Sequence, residues 1–126
     1  MKTMFMLALL ALQAWSADAT AQVITFDDIN TADNVQISNG YAGLNWDNFY
    51  IQNSGSPGYE GSGFAPGTVS GTNVGFNGWT DPASFSSATE FNLVSAYVTQ
   101  AWPGGDSIAH FVGYSGSDAR YFADIA

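Results

Sequence analysis

Short runs of alternating apolar and polar residues, separated by turn residues, constrain this chain more than any other feature. In Glu90–Trp102 one face carries Phe91, Leu93, Ser95 and Tyr97, and in Ser107–Tyr114 one face carries Ile108, His110, Val112 and Tyr114. The turn sequence Pro103–Asp106 lies between the two runs. A period of two is typical of a β-strand, and two such runs joined by a Pro/Gly/Asp loop predict a β-hairpin. Helical periodicity is almost absent. The chain is therefore predicted to be all-β.

The rest of the chain follows the same pattern, with turn dipeptides such as Asn39-Gly40 between short strand candidates. The glycine-rich stretch from Ser54 to Gly78 is predicted to be mainly looping, because glycine weakens strand interiors. This succession predicts one antiparallel β-sandwich with a jelly-roll-like arrangement. The other predicted strands are Gln22–Asp27, Val35–Ser38, Leu44–Ile51, Thr68–Ser70, Asn73–Phe76 and Ala119–Ile125.

The amino terminus has the three parts of a secretory signal peptide. Lys2 precedes the apolar run Phe5–Leu12, and two A-x-A patterns follow within Ala17–Ala21. The alternative is a membrane anchor, but this run is about half of the ~20 residues that a spanning helix needs. We therefore predict a signal peptide over residues 1–21, a single β-sandwich domain over residues 22–126, no membrane span, and a secreted, extracellular location.

The charge and the lack of cysteine exclude several functions. The chain has 2 Lys+Arg against 11 Asp+Glu, a formal net charge of −9, and no cysteine. This charge argues against nucleic-acid binding, which depends on basic side chains that displace counterions. Disulfide scaffolds, thiol nucleophiles and cysteine–metal sites are excluded as well. A small exported domain without disulfides has to bury most of its large side chains, so each aromatic residue is first expected in the core.

The carboxyl end predicts a truncated sandwich. The chain stops at Ala126, directly after an apolar strand-like stretch and without a closing turn. A sandwich that lacks a terminal strand exposes a row of unpaired backbone groups. The alternative is a complete domain whose last strand packs against its first.

Three stretches together resemble a family of mostly uncharacterised secreted proteins of fungi, oomycetes and bacteria. The stretches are Val23–Asp28, Asn39–Tyr50 and Phe91–Trp102, and the resemblance extends from Val23 to about Tyr114. It implies a secreted jelly-roll sandwich similar to galactose-binding domains. Bacterial members often carry a PEP-CTERM sorting tail, which is absent from this sequence. Members usually continue with further strands, in line with truncation, and the resemblance transfers no catalytic residue.

Neighbouring carboxylates suggest a calcium site. Asp27 and Asp28 end a predicted strand beside a polar turn, and Asp33 follows closely. Calcium takes six to eight oxygen ligands, which such a loop supplies in part. The alternative is that one carboxylate accepts backbone N–H groups in the turn while the other is solvated. Asp27 and Asp28 are the predicted metal ligands, and Ca²⁺ is the only cofactor considered.

Aromatic and amide side chains near turns suggest carbohydrate binding. Sugar rings present apolar faces that stack on Trp and Tyr, while amide groups bind their hydroxyls. Tyr59 and Trp79 lie among glycines and are predicted to be exposed, with Asn48 and Asn77 as hydrogen-bonding neighbours. Trp46 and Trp102 lie within strand patterns, and core packing is predicted for them. An extracellular polysaccharide is the expected partner. The alternative is a structural or surface-interaction protein of the cell envelope, in which all these rings are core.

Catalysis has less support in the sequence. A glycoside hydrolase needs two carboxylates across a cleft, and Glu60 and Glu90 are the only glutamates. Nothing in their local sequence pairs them. His110, the only histidine, lies on a strand face, and a partly buried structural role is predicted for it. The sequence thus favours a non-catalytic binding domain, with a glycoside hydrolase as the weaker alternative.

Overall fold

The computed structural model describes residues 21–31, 33–102, 104 and 107–126, and all strands in this part pair antiparallel. The predicted all-β, sandwich-like class is confirmed, since the only helical pieces there are two short 3-10 turns, Tyr41–Gly43 and Gly78–Thr80. The predicted signal peptide lies almost wholly outside the described residues. In chain order the strands are β1 (Val35–Gln36), β2 (Asn45–Asp47), β3 (Phe49–Asn53), β4 (Asn73–Asn77), β5 (Ser84–Ser86), β6 (Ala109–Ser115) and β7 (Asp118–Ile125).

The central sheet has the order β1-β3-β4, so β3 is its inner strand. β3 pairs along its whole length with β4, from Phe49 opposite Asn77 to Asn53 opposite Asn73. The chain between these strands forms the glycine-rich loop 54–72, in line with the prediction for this stretch. The predicted strand Thr68–Ser70 within this loop is wrong. Thr68 instead closes a local turn by donating its side-chain hydroxyl to the Phe64 carbonyl at 3.0 Å.

A second sheet, β2 with β5, packs against the central sheet through aromatic side chains. The strand predicted over Leu44–Ile51 is broken between β2 and β3 by Asn48, whose φ of 54° lies in the left-handed region. Asparagine tolerates this conformation better than most residues. The break turns the chain from one sheet into the next and places Trp46 opposite Phe85 in the second sheet.

The core lies between these two sheets. Ile37, Trp46 and Ile51 are buried, and partly buried rings surround the indole of Trp46. Phe49 meets this indole edge-on with ring centroids 5.3 Å apart, and Phe85 lies at 5.4 Å. The indole N–H donates to the Tyr41 carbonyl at 2.9 Å, so its polar group is satisfied inside the core. The predicted core role of Trp46 is confirmed.

The predicted strand Gln22–Asp27 is wrong, although its apolar side chains reach the core. Phe26 has a φ of 63°, which interrupts extended backbone, and a turn follows at Asp27-Asp28. Ile24 and Phe26 nevertheless pack against the buried cluster. The alternation therefore identified the side chains that pack against the core, although this segment does not pair with another strand.

The carboxyl-terminal hairpin differs from the predicted one in its pairing. β6 and β7 confirm the strands predicted over Ser107–Tyr114 and Ala119–Ile125, and they pair through the two-residue turn Gly116-Ser117. Glu90–Trp102, predicted to pair with the first of them, forms no strand and is mostly exposed. A two-residue connection loses less loop entropy than a longer one, which favours the β6–β7 pairing.

Replacement of Trp46 tests the position of the core. We expect Trp46→Ala to lower the free energy of unfolding by about 3–5 kcal/mol, because the cavity would remove contacts with several rings. Tyr97→Ala is the matched control, since the Tyr97 side chain is 84% exposed and its loss is expected to change stability by about 0.5 kcal/mol or less. Urea unfolding followed by circular dichroism measures both. Equal effects of the two substitutions would contradict this core.

Candidate functional site

Trp79 is presented to solvent by a strained turn. The 3-10 turn Gly78–Thr80 directly follows β4, and the Trp79 side chain is 77% exposed. Trp79 and Thr80 have φ values of 51° and 65°, both left-handed. Such conformations cost non-glycine residues on the order of 1–3 kcal/mol each and persist only where the surroundings hold them. The backbone that carries the exposed indole therefore has a conformation that the isolated chain would not favour.

Two asparagine side chains hold this turn. The Asn48 amide nitrogen lies 3.1 Å from the Gly78 carbonyl oxygen and 3.3 Å from that of Asp81, and donates to both. The Pro82 carbonyl oxygen lies 3.2 Å from the same nitrogen, so the two N–H groups of this amide are shared among three acceptors. The Asn77 amide nitrogen donates to the Asp81 carbonyl at 2.9 Å. Both residues, predicted to bind ligand hydroxyls, thus use their N–H groups to position the loop that carries Trp79.

Gly78 is required for the close packing beneath the turn. A Cβ at this position would lie 2.6 Å from Asn48 Oδ1 and 2.7 Å from the ring of Tyr50. Gly78 also donates its backbone N–H to the Asn48 carbonyl at 3.0 Å. The turn therefore rests directly on β3 and on the residue that precedes it, with no room for a side chain in between.

Trp79 is one end of a continuous row of aromatic rings, which we call the aromatic row. Its indole stands edge-on to Tyr50 with centroids 5.1 Å apart. Tyr50 lies on the opposite face of β3 from the core residue Ile51, because side chains alternate along a strand. The row then proceeds at centroid spacings of 5.9, 5.5 and 5.4 Å through Phe76, Phe64 and Tyr59.

At the other end of the aromatic row, the ring of Tyr59 packs against the ring of Trp102. Their rings lie 6.0 Å apart at 33°, and the Tyr59 hydroxyl accepts a hydrogen bond from the Asn34 amide at 3.2 Å. Trp102 is 52% exposed, so its predicted core position is wrong. Tyr59 is half-buried, less open than the sequence predicts. The two predicted binding rings, Tyr59 and Trp79, thus belong to one row but lie at its opposite ends.

An open cleft adjoins Trp102. It has a volume of about 280 Å³ and is lined by Gly61, Ser62, Gly63, Gln100 and Trp102. Close backbone approach forms it: Gly63 donates its N–H to the Ala101 carbonyl at 2.6 Å, and a Cβ on Gly63 would collide with the Gln100 carbonyl oxygen. Because Gly63 has no side chain, the segment that precedes Trp102 can cross directly over the loop 54–72. The sequence placed Trp102 on a strand face, and this crossing explains its exposure instead.

The carboxylates predicted to bind calcium have separate partners. Asp28 Oδ1 accepts a hydrogen bond from the Tyr41 hydroxyl at 2.7 Å, while the Asp27 carboxylate lies against Gly71. Among the described residues no group of three or more His, Cys, Asp or Glu side chains is arranged to hold a metal ion. Asp27 and Asp28 alone would leave most ligand positions of calcium to backbone oxygens and water. Calcium binding stays a prediction.

The residues considered for catalysis lie in open surroundings. Glu60 accepts a hydrogen bond from the Gly58 backbone N–H at 2.9 Å, which closes a local turn, and Glu90 is exposed. The prediction that His110 is partly buried is wrong: its side chain is 68% exposed and lies 2.7 Å from Asp124 across the β6–β7 hairpin. The strand face that carries His110 is solvent-facing, since Val112 on the same face is exposed as well.

Comparisons with protein-family models, with curated proteins and with solved structures find no match for this chain. In the part of the chain that the structure describes, no helix has the length and apolar character that crossing a membrane requires.

The Tyr41–Asp28 contact predicts a change of stability at alkaline pH. Burial, together with the hydrogen bond to the neighbouring Asp28 carboxylate, raises the pKa of Tyr41 from 10.0 to about 12. Between these values the unfolded chain loses this proton and the folded chain keeps it, so the free energy of unfolding falls as the pH rises. Below pH 10 this contribution to stability is fully present.

We expect Tyr41→Phe to be less stable than the parent at pH 7 by roughly 1–3 kcal/mol, because a hydrogen bond to a charged group is lost. The difference should narrow between pH 10 and pH 12, since the variant lacks this titration. Chemical unfolding across this range measures it, with Tyr97→Phe as the control. Parallel stability curves for Tyr41→Phe and the parent would contradict the assignment.

Proposed function

We propose that this protein is a secreted, non-catalytic carbohydrate-binding domain whose main contact is the exposed indole of Trp79. The observation that carries the proposal is the pinned turn: a large aromatic side chain remains 77% exposed although its backbone conformation is unfavourable. Strain of this kind is typical of functional sites, where the surrounding structure maintains it. A core role for Trp79, which the structural alternative requires, is not supported by this exposure.

The chemistry of the surroundings supports a sugar rather than a lipid or a nucleic acid. The indole offers an apolar face for the C–H face of a pyranose ring, and the adjacent Asp81 and Thr80 are exposed polar residues. The net charge of −9 opposes anionic ligands such as phosphates and nucleic acids. A neutral extracellular polysaccharide fits both features.

The second end of the aromatic row supports a polymer as the ligand. Trp102, whose ring lies beside that of Tyr59, lines an open cleft together with the polar residues Ser62 and Gln100. This cleft and the Trp79 turn are separated by the rings of the row, so one monosaccharide would contact only one of them. A chain of sugars has the length to contact both.

Binding measurements with variants test the proposal. Trp79→Ala is expected to weaken binding to a responsive neutral glycan about tenfold or more, as for other exposed aromatic anchors. Tyr97→Ala is the matched control, because it removes an equally exposed ring outside the row. A glycan array finds the responsive sugar, and isothermal titration calorimetry measures the affinities. Absence of binding to a broad neutral panel, or an equal loss in both variants, would contradict the proposal.

The asparagines that hold the turn give a second test. We expect Asn48→Ala to reduce glycan affinity although Asn48 does not contact the ligand, because the turn loses the amide whose N–H groups are shared among the Gly78, Asp81 and Pro82 carbonyls. Tryptophan fluorescence should also become more susceptible to quenching by acrylamide as Trp79 gains mobility. Asn92→Ala, an exposed asparagine outside the site, is the control. Unchanged quenching with reduced affinity would instead indicate that Asn48 contacts the sugar directly.

A further inference from the structure

The β6–β7 hairpin exposes several large apolar side chains that no other described element covers. Every residue of β7 is exposed, and the exposed apolar side chains lie on both of its faces, because Tyr121 and Phe122 are consecutive in the strand. A two-stranded hairpin by itself is only marginally stable in water. The exposed large apolar residues on or beside the hairpin are Ile108, Val112, Tyr114, Tyr121, Phe122 and Ile125.

The outer edge of β7 is free to pair. Within the described residues β7 is hydrogen-bonded only to β6, and the two strands form a sheet of their own. A strand edge of eight residues with unpaired N–H and C=O groups is a template for another strand. The outer edge of β6 is unpaired in the described residues as well, but Ala109, Phe111 and Gly113 of β6 are half-buried, whereas every residue of β7 is exposed. An added strand would therefore pair with β7.

The distribution of charge points to the identity of this strand. Arg120 and His110 are the only basic side chains in the described part of the chain, and both lie on the hairpin. Arg120 lies 3.1 Å from Asp118, and His110 lies 2.7 Å from Asp124, so each carboxylate of the hairpin has a partner. The other described acidic residues, Asp27, Asp28, Asp33, Asp47, Glu60, Asp81 and Glu90, lie outside the hairpin.

This distribution favours a second copy of the chain. Two copies that met through their acidic parts would repel each other, whereas each hairpin carries only two carboxylates, one beside Arg120 and one hydrogen-bonded to His110. A basic partner would be attracted to the acidic part instead. Antiparallel pairing of two β7 strands about Phe122 also brings Arg120 of each copy near Asp124 of the other, and opposite charges close to each other across two strands are favourable. Arg120 has no Cα partner in β6, because the β6–β7 register shifts at this position.

We propose that the protein forms a two-fold symmetric dimer in which the β7 strands of two copies pair antiparallel, so that the two hairpins form one four-stranded sheet. The pairing satisfies the free edge of β7 in both copies and closes the assembly, because a two-fold contact uses the same surface twice. The pairing strand β7 contains none of the residues of the aromatic row.

Sedimentation velocity of the purified protein at increasing concentration tests the dimer. We expect a discrete species of twice the monomer mass, with hydrogen exchange of the β7 amides slowing as the concentration rises. Arg120→Asp should raise the dimer dissociation constant about tenfold, because it places like charges across the ladder. The matched control is Gln22→Asp with Ala88→Asp, which changes the net charge equally at exposed positions outside the hairpin.

A second substitution covers the case in which Arg120→Asp disturbs the hairpin itself. Phe122→Lys places two positive charges together at the two-fold axis and should also weaken the dimer, while Val94→Lys, at another exposed apolar position, should not. Far-UV circular dichroism verifies the fold of each variant. A monomer at all concentrations, association without a limiting size, or equal effects of hairpin variants and controls would overturn the proposal.

Discussion

The structure depends on β3 having two apolar faces. Phe49 and Ile51 lie on one face and pack against Trp46 and its neighbours, while Tyr50 lies on the other and begins the contacts of the aromatic row. Because side chains alternate strictly along a strand, a shift of one residue in the pairing of β3 would exchange these two faces. The register with β4 therefore fixes the core and the aromatic row together. Without cysteine, the chain has no disulfide to fix it instead.

The same strand also carries a cost. Gln52 is fully buried; its amide nitrogen donates to the Asn53 carbonyl at 2.8 Å, and its Oε1 has no hydrogen-bond partner among the described residues. A buried acceptor without a partner destabilises the fold by about 1–3 kcal/mol. The strained turn at Trp79 adds a similar cost on the adjacent strand. Both lie on or beside the aromatic row, whereas the indole of Trp46 on the opposite face has its polar group satisfied.

The sequence predicted side-chain burial better than strand pairing. The all-β class, the buried Trp46 and the exposed Trp79 follow from alternation and glycine content. The predicted pairing of Glu90–Trp102 with Ser107–Tyr114 is wrong, because alternation shows which side chains share a face but not which neighbouring strand supplies the hydrogen bonds. Phe26 and Asn48 also adopt left-handed conformations that a strand pattern hides. The prediction for Trp102 is wrong because its exposure depends on the chain crossing over Gly63, and that contact is distant in sequence.

The candidate site also depends on contacts that are distant in sequence. The Asn48 amide donates to carbonyl groups more than thirty positions later, and only the β3–β4 register brings them together.

The distribution of charge connects the hairpin to the rest of the molecule. An acidic domain without disulfides stays apart from its own copies by repulsion, and this repulsion is weakest where acids are matched by bases. In the described chain that place is the β6–β7 hairpin, where several large apolar side chains are also exposed. If exposed apolar side chains lay on an acidic surface, charge repulsion would keep a second copy away from them. If paired charges lay on a polar surface, there would be no apolar area to bury against a second copy. Because both occur on the β6–β7 hairpin, whose strand β7 has a free edge, association of two copies is directed to β7 and leaves the acidic remainder of the chain in solvent.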